Sequence, residues 1–117
     1  MGYDINNIFA KILRGEISSK RVYEDNHVYA FDDIAPKAPV HVLVLPKRAY
    51  VNMDDFTLHA PAEEIAALFQ ALGKIARGKK LDETGYRVIV NCGRNGGQEV
   101  PHLHLHLLGG KPLGKML

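Results

Sequence analysis

The sequence predicts an α+β domain: a five-stranded antiparallel sheet with one long helix and a short N-terminal helix. Three observations carry this. Short apolar runs come in neighbouring pairs joined by turn residues, and only one stretch sustains the period of a long helix. Strands also fail to alternate regularly with helices, as a parallel sheet would require. The 117 residues read as a single domain, 1–117, with no internal repeat and no linker.

Residues 1–6 read as a loose leader. Asn7 caps a short helix that carries Ile8, Phe9, Ile12 and Leu13 on one side and stops at Gly15. Arg21–Glu24 is a strand and Asp25-Asn26 a turn. His27–Asp32 is a second strand, with Val28, Ala30 and Asp32 on one face and Tyr29 and Phe31 on the other. The run from His41 to Leu45, ended by Pro46, reads as a central strand buried on both faces. Residues 47–60 are connecting structure. Pro61 suits the first turn of the long helix, and Glu63 and Glu64 suit its positive end. Ile65, Leu68, Phe69, Leu72 and Ile75 form the stripe expected on the sheet, with a stop at Gly78 or Lys79-Lys80. Tyr86–Asn91 is a fourth strand, after which Cys92 is expected as a buried thiol. Gly93, Gly96 and Gly97 make a loop. His102–Leu108 is a fifth strand, closed by Gly109-Gly110.

Composition narrows the function classes. Lys plus Arg number 15 and Asp plus Glu 13, a net charge of +2 that excludes a basic nucleic-acid-coating protein and an acidic disordered tail. A small anionic ligand stays open, because a local site needs only a few donors. The lone Cys92 cannot form an intramolecular disulfide, which suits the reducing cytoplasm. No apolar run near the N-terminus is long enough for a signal peptide or a membrane span.

The chemistry concentrates near the C-terminus. Three of the six histidines fall in His102-Leu103-His104-Leu105-His106. On a strand this alternation puts the imidazoles on one face and the leucines on the other. Each imidazole carries a donor and an acceptor that a merely structural face would have to satisfy. Two functional readings follow. One is a His₃ zinc site with an open water position. The other is a phosphorus site, where a neutral imidazole attacks a phosphate. The preceding Arg94-Asn95-Gly96-Gly97-Gln98 favours the second, since adjacent glycines let backbone N–H groups approach an anion.

His102, His104 and His106, followed by Leu107-Leu108, resemble the signature of the histidine triad superfamily. Ile8-Phe9-Ala10-Lys11-Ile12, Ala30-Phe31-Asp32-Asp33-Ile34, Ala38-Pro39-Val40-His41 and Gly96-Gly97-Gln98 extend the resemblance to its Hint branch. The ending from Gly109 to Leu117 is similar to that of bacterial members. The resemblance implies hydrolysis of purine nucleoside phosphoramidates to AMP or GMP, with no metal and no cofactor. It implies His104 as the nucleophile that forms a nucleotidyl-histidine intermediate. His106 would contact phosphate and leaving group, while His102 and His41 hold the triad in its reactive tautomer. Phe9, Ile12, Phe31 and Ile34 would enclose the purine and Asp33 would accept from the ribose hydroxyls. Asn91, Gly97 and Gln98 would attend the phosphate, with Glu99 near the leaving group. A homodimer of edge-joined sheets is implied too. The chain departs from eukaryotic members at Glu99, where they have serine, at Asp32, where they have histidine, and in lacking tryptophan. Alternative activities are dinucleoside polyphosphate hydrolysis at the same site, zinc binding, or nucleotide binding without significant catalysis.

Overall fold

In a computed structural model, described over residues 2–116, five strands form one antiparallel sheet. They are β1 (Arg21–Glu24), β2 (Val28–Asp32), β3 (Val40–Pro46), β4 (Tyr86–Val90) and β5 (Leu105–Gly109), in the spatial order β1-β2-β3-β5-β4. The apolar run around Val42–Leu45 lies mid-sheet as predicted, and Val42, Val44 and Leu45 are fully buried. The chain ends, Met1 of the leader and Leu117 of the tail, lie outside the described residues.

The expected α+β class with an antiparallel sheet holds, but the described residues form five helices where two were expected. Helix α1 (Ile8–Leu13) starts where the Asn7 side chain accepts the Ala10 N–H at 2.9 Å. Helix α2 (Met53–His59) falls in the stretch taken for plain connection. Its signals were present: the Asn52 side chain accepts from Asp55 N, and Asp54 and Asp55 occupy the first turn. It buries Phe56 completely. The long helix α3 (Ala62–Gly78) lies over one sheet face, with Leu68, Ala71, Leu72, Ile75 and Ala76 against Val28, Ala30, Val42, Val44, Leu105 and Leu107. Phe69 is not in that stripe as expected, because its position turns outward and leaves it half exposed. Helix α4 (Leu81–Thr84) and the single turn α5 (Gly93–Gly96) complete the set.

On the other face, α1 brings Phe9 against Phe31, Leu43 and Leu45. This second core is small and ends beside His41 and His106. Strand β5 begins three residues later than predicted. His102 N bonds back to Val100 O and Leu103 N is taken by the Tyr50 carbonyl at 2.8 Å, so residues 102–104 bend out of the ladder. At its far end Gly109 and Gly110 are needed for space. A Cβ on Gly110, at φ +94°, would lie 2.9 Å from the Pro39 ring, and one on Gly109 2.8 Å from Leu81. Cys92, expected buried, is exposed at the start of α5. Among the described residues no helix is long and apolar enough to cross a membrane.

Candidate active site

The alternation of β3 and β5 sends His41 and His106 to the face that α1 only partly covers. There they meet, with His41 Nε2 2.9 Å from His106 Nδ1. His104 follows on the same side. Its ring stands edge-on to Phe9 at 4.8 Å and to His106 at 5.2 Å between centroids. The first triad residue departs from the predicted common face. His102 is fully buried, enclosed by Tyr3 and the Pro46 carbonyl.

Hydrogen-bond partners assign each tautomer. Lys37 N–H donates to His41 Nδ1 at 3.0 Å, so the His41 proton sits on Nε2 and is given to His106 Nδ1. A neutral His106 then carries its own proton on Nε2. His104 is the reverse: its Nδ1–H donates to the His102 carbonyl at 2.7 Å, which leaves Nε2 a bare lone pair. His102 donates Nε2–H to Pro46 O at 2.8 Å and accepts the Tyr3 hydroxyl at Nδ1, 2.6 Å away. Burial keeps all four rings neutral. It pushes His102 and His106 down to about 4 and lowers His104 and His41 from 6.5. The site thus places a neutral nucleophilic nitrogen beside a neutral N–H donor.

The remaining predicted residues separate into two groups. Asp33 reaches the cluster: its Oδ2 lies 3.5 Å from His41 Nε2 while its Oδ1 makes a local turn bond to Ala35 N. Ile34 beside it is almost wholly exposed, at 95%. Phe9 and Phe31 are buried core residues and Ile12 packs against them, so these three form the floor beneath the histidines rather than open walls. Asn91 and Glu99 lie on the loop side, Asn91 partly buried and Glu99 exposed.

Gly97 and Gln98 are not placed as phosphate donors. Gly97 N–H bonds to Arg94 O at 3.1 Å and Gln98 N–H to Gly93 O at 3.0 Å, closing the α5 turn on itself. The Gln98 carboxamide donates to Val51 O and Val100 O and accepts from Gly93 N. All its hydrogen-bonding groups are therefore engaged in holding the loop. Gly97, at φ +78°, supplies the left-handed turn that this closure needs. Sequence reasoning missed Tyr3, Lys37 N and the Tyr50 carbonyl as supports, because nothing local marks a residue as the distant partner of a histidine.

A His₃ zinc site on the triad does not fit this geometry, since both His102 ring nitrogens and His104 Nδ1 are already bonded within the protein. Among the described residues, the donor atoms that do converge, within 4.8 Å of one another, belong to Asp33, His41 and His106.

The HIT domain family matches residues 14–113. A relative 46% identical over 110 residues, 94% of this chain and 92% of its own length, is the purine nucleoside phosphoramidase of Escherichia coli. The chain belongs to the HIT domain family. A HIT-like protein of Azospirillum brasilense is 56% identical over 98% of this chain and 94% of its own. Among solved structures, a histidine triad protein from Clostridium difficile superposes with a TM-score of 0.87 at 45% identity, covering 99% of this chain and all of that one. A HIT family hydrolase from Clostridium thermocellum reaches 0.89 at 43% identity, covering 96% and 97%. This HIT chain therefore shares its architecture with relatives over nearly its whole length, not only over the histidine motif.

Proposed function

We propose that this HIT protein hydrolyses purine nucleoside 5′-phosphoramidates to AMP or GMP and a free amine, without a metal, through a nucleotidyl intermediate on His104. The observation that carries this reading is the His104 tautomer. Its Nδ1–H is anchored on the His102 carbonyl at 2.7 Å, so Nε2 presents a lone pair on the open side of the sheet. The similarity to the E. coli phosphoramidase points to the same chemistry.

In this mechanism His104 Nε2 attacks the phosphorus and the P–N bond to the amine breaks. An amine leaves a phosphoramidate readily only with a proton; the substrate brings it by binding with its nitrogen protonated, and His106 Nε2–H hydrogen-bonds the phosphoryl group as the neutral amine departs. Water then attacks the nucleotidyl-histidine, its proton passes to solvent, and His104 returns to the neutral base. His41, with Asp33 beside it, keeps the His106 proton on the substrate side. Asp33 accepts the ribose hydroxyls, and the exposed Ile34 covers the purine over the Phe9, Ile12 and Phe31 floor. Asn91 and the loop that Gly97 and Gln98 shape border the phosphate. Glu99, exposed where the leaving group exits, disfavours a polyphosphate leaving group and suits an amine.

The test is mass spectrometry of the enzyme quenched during turnover of an adenosine phosphoramidate, with and without chelator. A mass increase of one AMP moiety on His104, insensitive to chelator, is expected. His104→Ala should lose on the order of 10⁴-fold in turnover while still binding AMP. Turnover unchanged in that variant would sink the mechanism. Faster cleavage of a diadenosine polyphosphate than of the phosphoramidate would select the alternative substrate class.

We also propose a homodimer joined through β4. This strand is a sheet edge, with Tyr86 and Val88 partly exposed and Phe69 of α3 exposed as well. Light scattering on a sizing column should give twice the 13.0 kDa chain mass. A monomer at micromolar concentration would exclude it.

A further inference from the structure

The sequence presents residues 1–6 as a loose leader, yet of these Tyr3, Asp4 and Ile5 are tied to α1 and to the site. The turn at Asp4 is closed by Asn7, whose backbone N–H and side-chain amide both donate to the Asp4 carbonyl, at 3.2 and 2.7 Å. The same Asn7 caps α1. Arg14 donates to the Ile5 carbonyl at 2.8 Å. Leader and helix are thus one arm, and the arm lays two aromatic rings on two triad histidines. Phe9 stands edge-on to His104, and Tyr3 stands edge-on to His102 at 5.6 Å between centroids.

The Tyr3 contact is also polar. His102 must keep its proton on Nε2, because that nitrogen faces the Pro46 carbonyl, which can only accept. Its Nδ1 is then an acceptor inside a fully buried ring, and the Tyr3 hydroxyl 2.6 Å away satisfies it. The peptide of this ring is the one whose carbonyl holds His104 Nδ1–H. We propose that Tyr3 is a positioning residue for the reaction: its hydroxyl locks the His102 ring and so the carbonyl that aims the nucleophile. The N-terminal arm is in consequence part of the catalytic apparatus. Tyr3 touches neither substrate nor reacting atoms, and acts through His102 alone. Without its hydroxyl, His102 Nδ1 must draw in water or take a proton, and either change lets the His102 peptide move.

This rests on the phosphoramidase reading for its kinetic arm only. The experiment compares wild type, Tyr3→Phe and Leu58→Ala, whose side chain is exposed on α2, outside the arm. Turnover of an adenosine phosphoramidate, AMP affinity by calorimetry and the ¹⁵N resonances of the His102 ring in the AMP complex are read together. Tyr3→Phe should lower kcat about tenfold with AMP affinity within about twofold, the signature of misaimed attack rather than lost binding. The His102 nitrogens should pass from a single Nε2–H tautomer to a mixture or a protonated ring. Leu58→Ala should match wild type. A kcat for Tyr3→Phe within about twofold of wild type overturns the proposal, as does a fallen kcat with an unchanged His102 tautomer. If wild type does not cleave the phosphoramidate, the proposed function fails, and the tautomer comparison decides the role of Tyr3 by itself. If Tyr3→Phe does not fold, the wild-type spectrum decides: a His102 Nδ1 without a hydrogen-bond donor ends the case.

Discussion

His104 and His106 are two residues apart, yet they hold their protons on opposite nitrogens because their neighbours differ. A backbone carbonyl claims Nδ1–H of one, and an N–H from His41 claims the bare Nδ1 of the other. The pair becomes a nucleophile and a donor without any ring being charged. A pH dependence follows. Burial lowers His104 from 6.5, so the nucleophile stays a free base below neutrality. The kcat/KM profile should be level from pH 8 down to about 6.5 and lose its activity only at lower pH. A half-maximum above 6.5 in a pH–rate series would contradict this. Gln98 shows the opposite outcome for a residue singled out early. Its type suggested a phosphate contact, but its three bonds to Val51, Val100 and Gly93 make it a brace.

At the scale of elements, the segment after β3 matters more than its sequence suggested. Glu64 of α3 is buried, and burial alone would raise its carboxyl. The hydroxyl of Tyr50, at 2.6 Å, and Arg48, at 2.7 Å, outweigh burial and hold it below the usual range. Tyr50 in turn is pushed up to about 12 by burial and by Glu64. This knot ties the segment to α3, and the Tyr50 carbonyl passes the restraint to Leu103, between two triad histidines. Tyr50→Phe removes one donor from a buried carboxylate. It should cost about 1–3 kcal/mol in urea unfolding. A loss under about 0.5 kcal/mol would show that Arg48 suffices for Glu64.

Across the whole molecule, the sheet separates its work by face. The α3 side is a closed apolar core, and the α1 side is a thin core that stops where the histidines begin. Setting imidazoles in that boundary has a cost that pH reveals. His102 and His106 titrate near 4 when folded and near 6.5 when unfolded. Between those values the unfolded chain binds more protons, so stability is whole above about 6.5 and is lost as pH falls toward 4. Melting temperature by circular dichroism should drop steadily from pH 7 to pH 4.5. A flat curve over that range would mean that these rings are not buried as described.

Much of this was legible in the chain. Period-two apolar runs specify strands by local alternation, so all five appear near their predicted places. The period of α3 and the capping at Asn7 are local for the same reason. The histidine motif itself marks the site. What local pattern cannot express is pairing at a distance. The burial of Phe56 by α2 and the outward turn of Phe69 depend on which surfaces meet. The bend that lifts residues 102–104 from the ladder depends on Tyr50, which is more than fifty positions away in the chain. The tautomers depend on Lys37, Pro46 and Tyr3 in the same way. Sequence determined the elements and the chemical groups of this protein. Only the tertiary structure decided where each proton sits, because a hydrogen bond is assigned by the partner that folding brings to it.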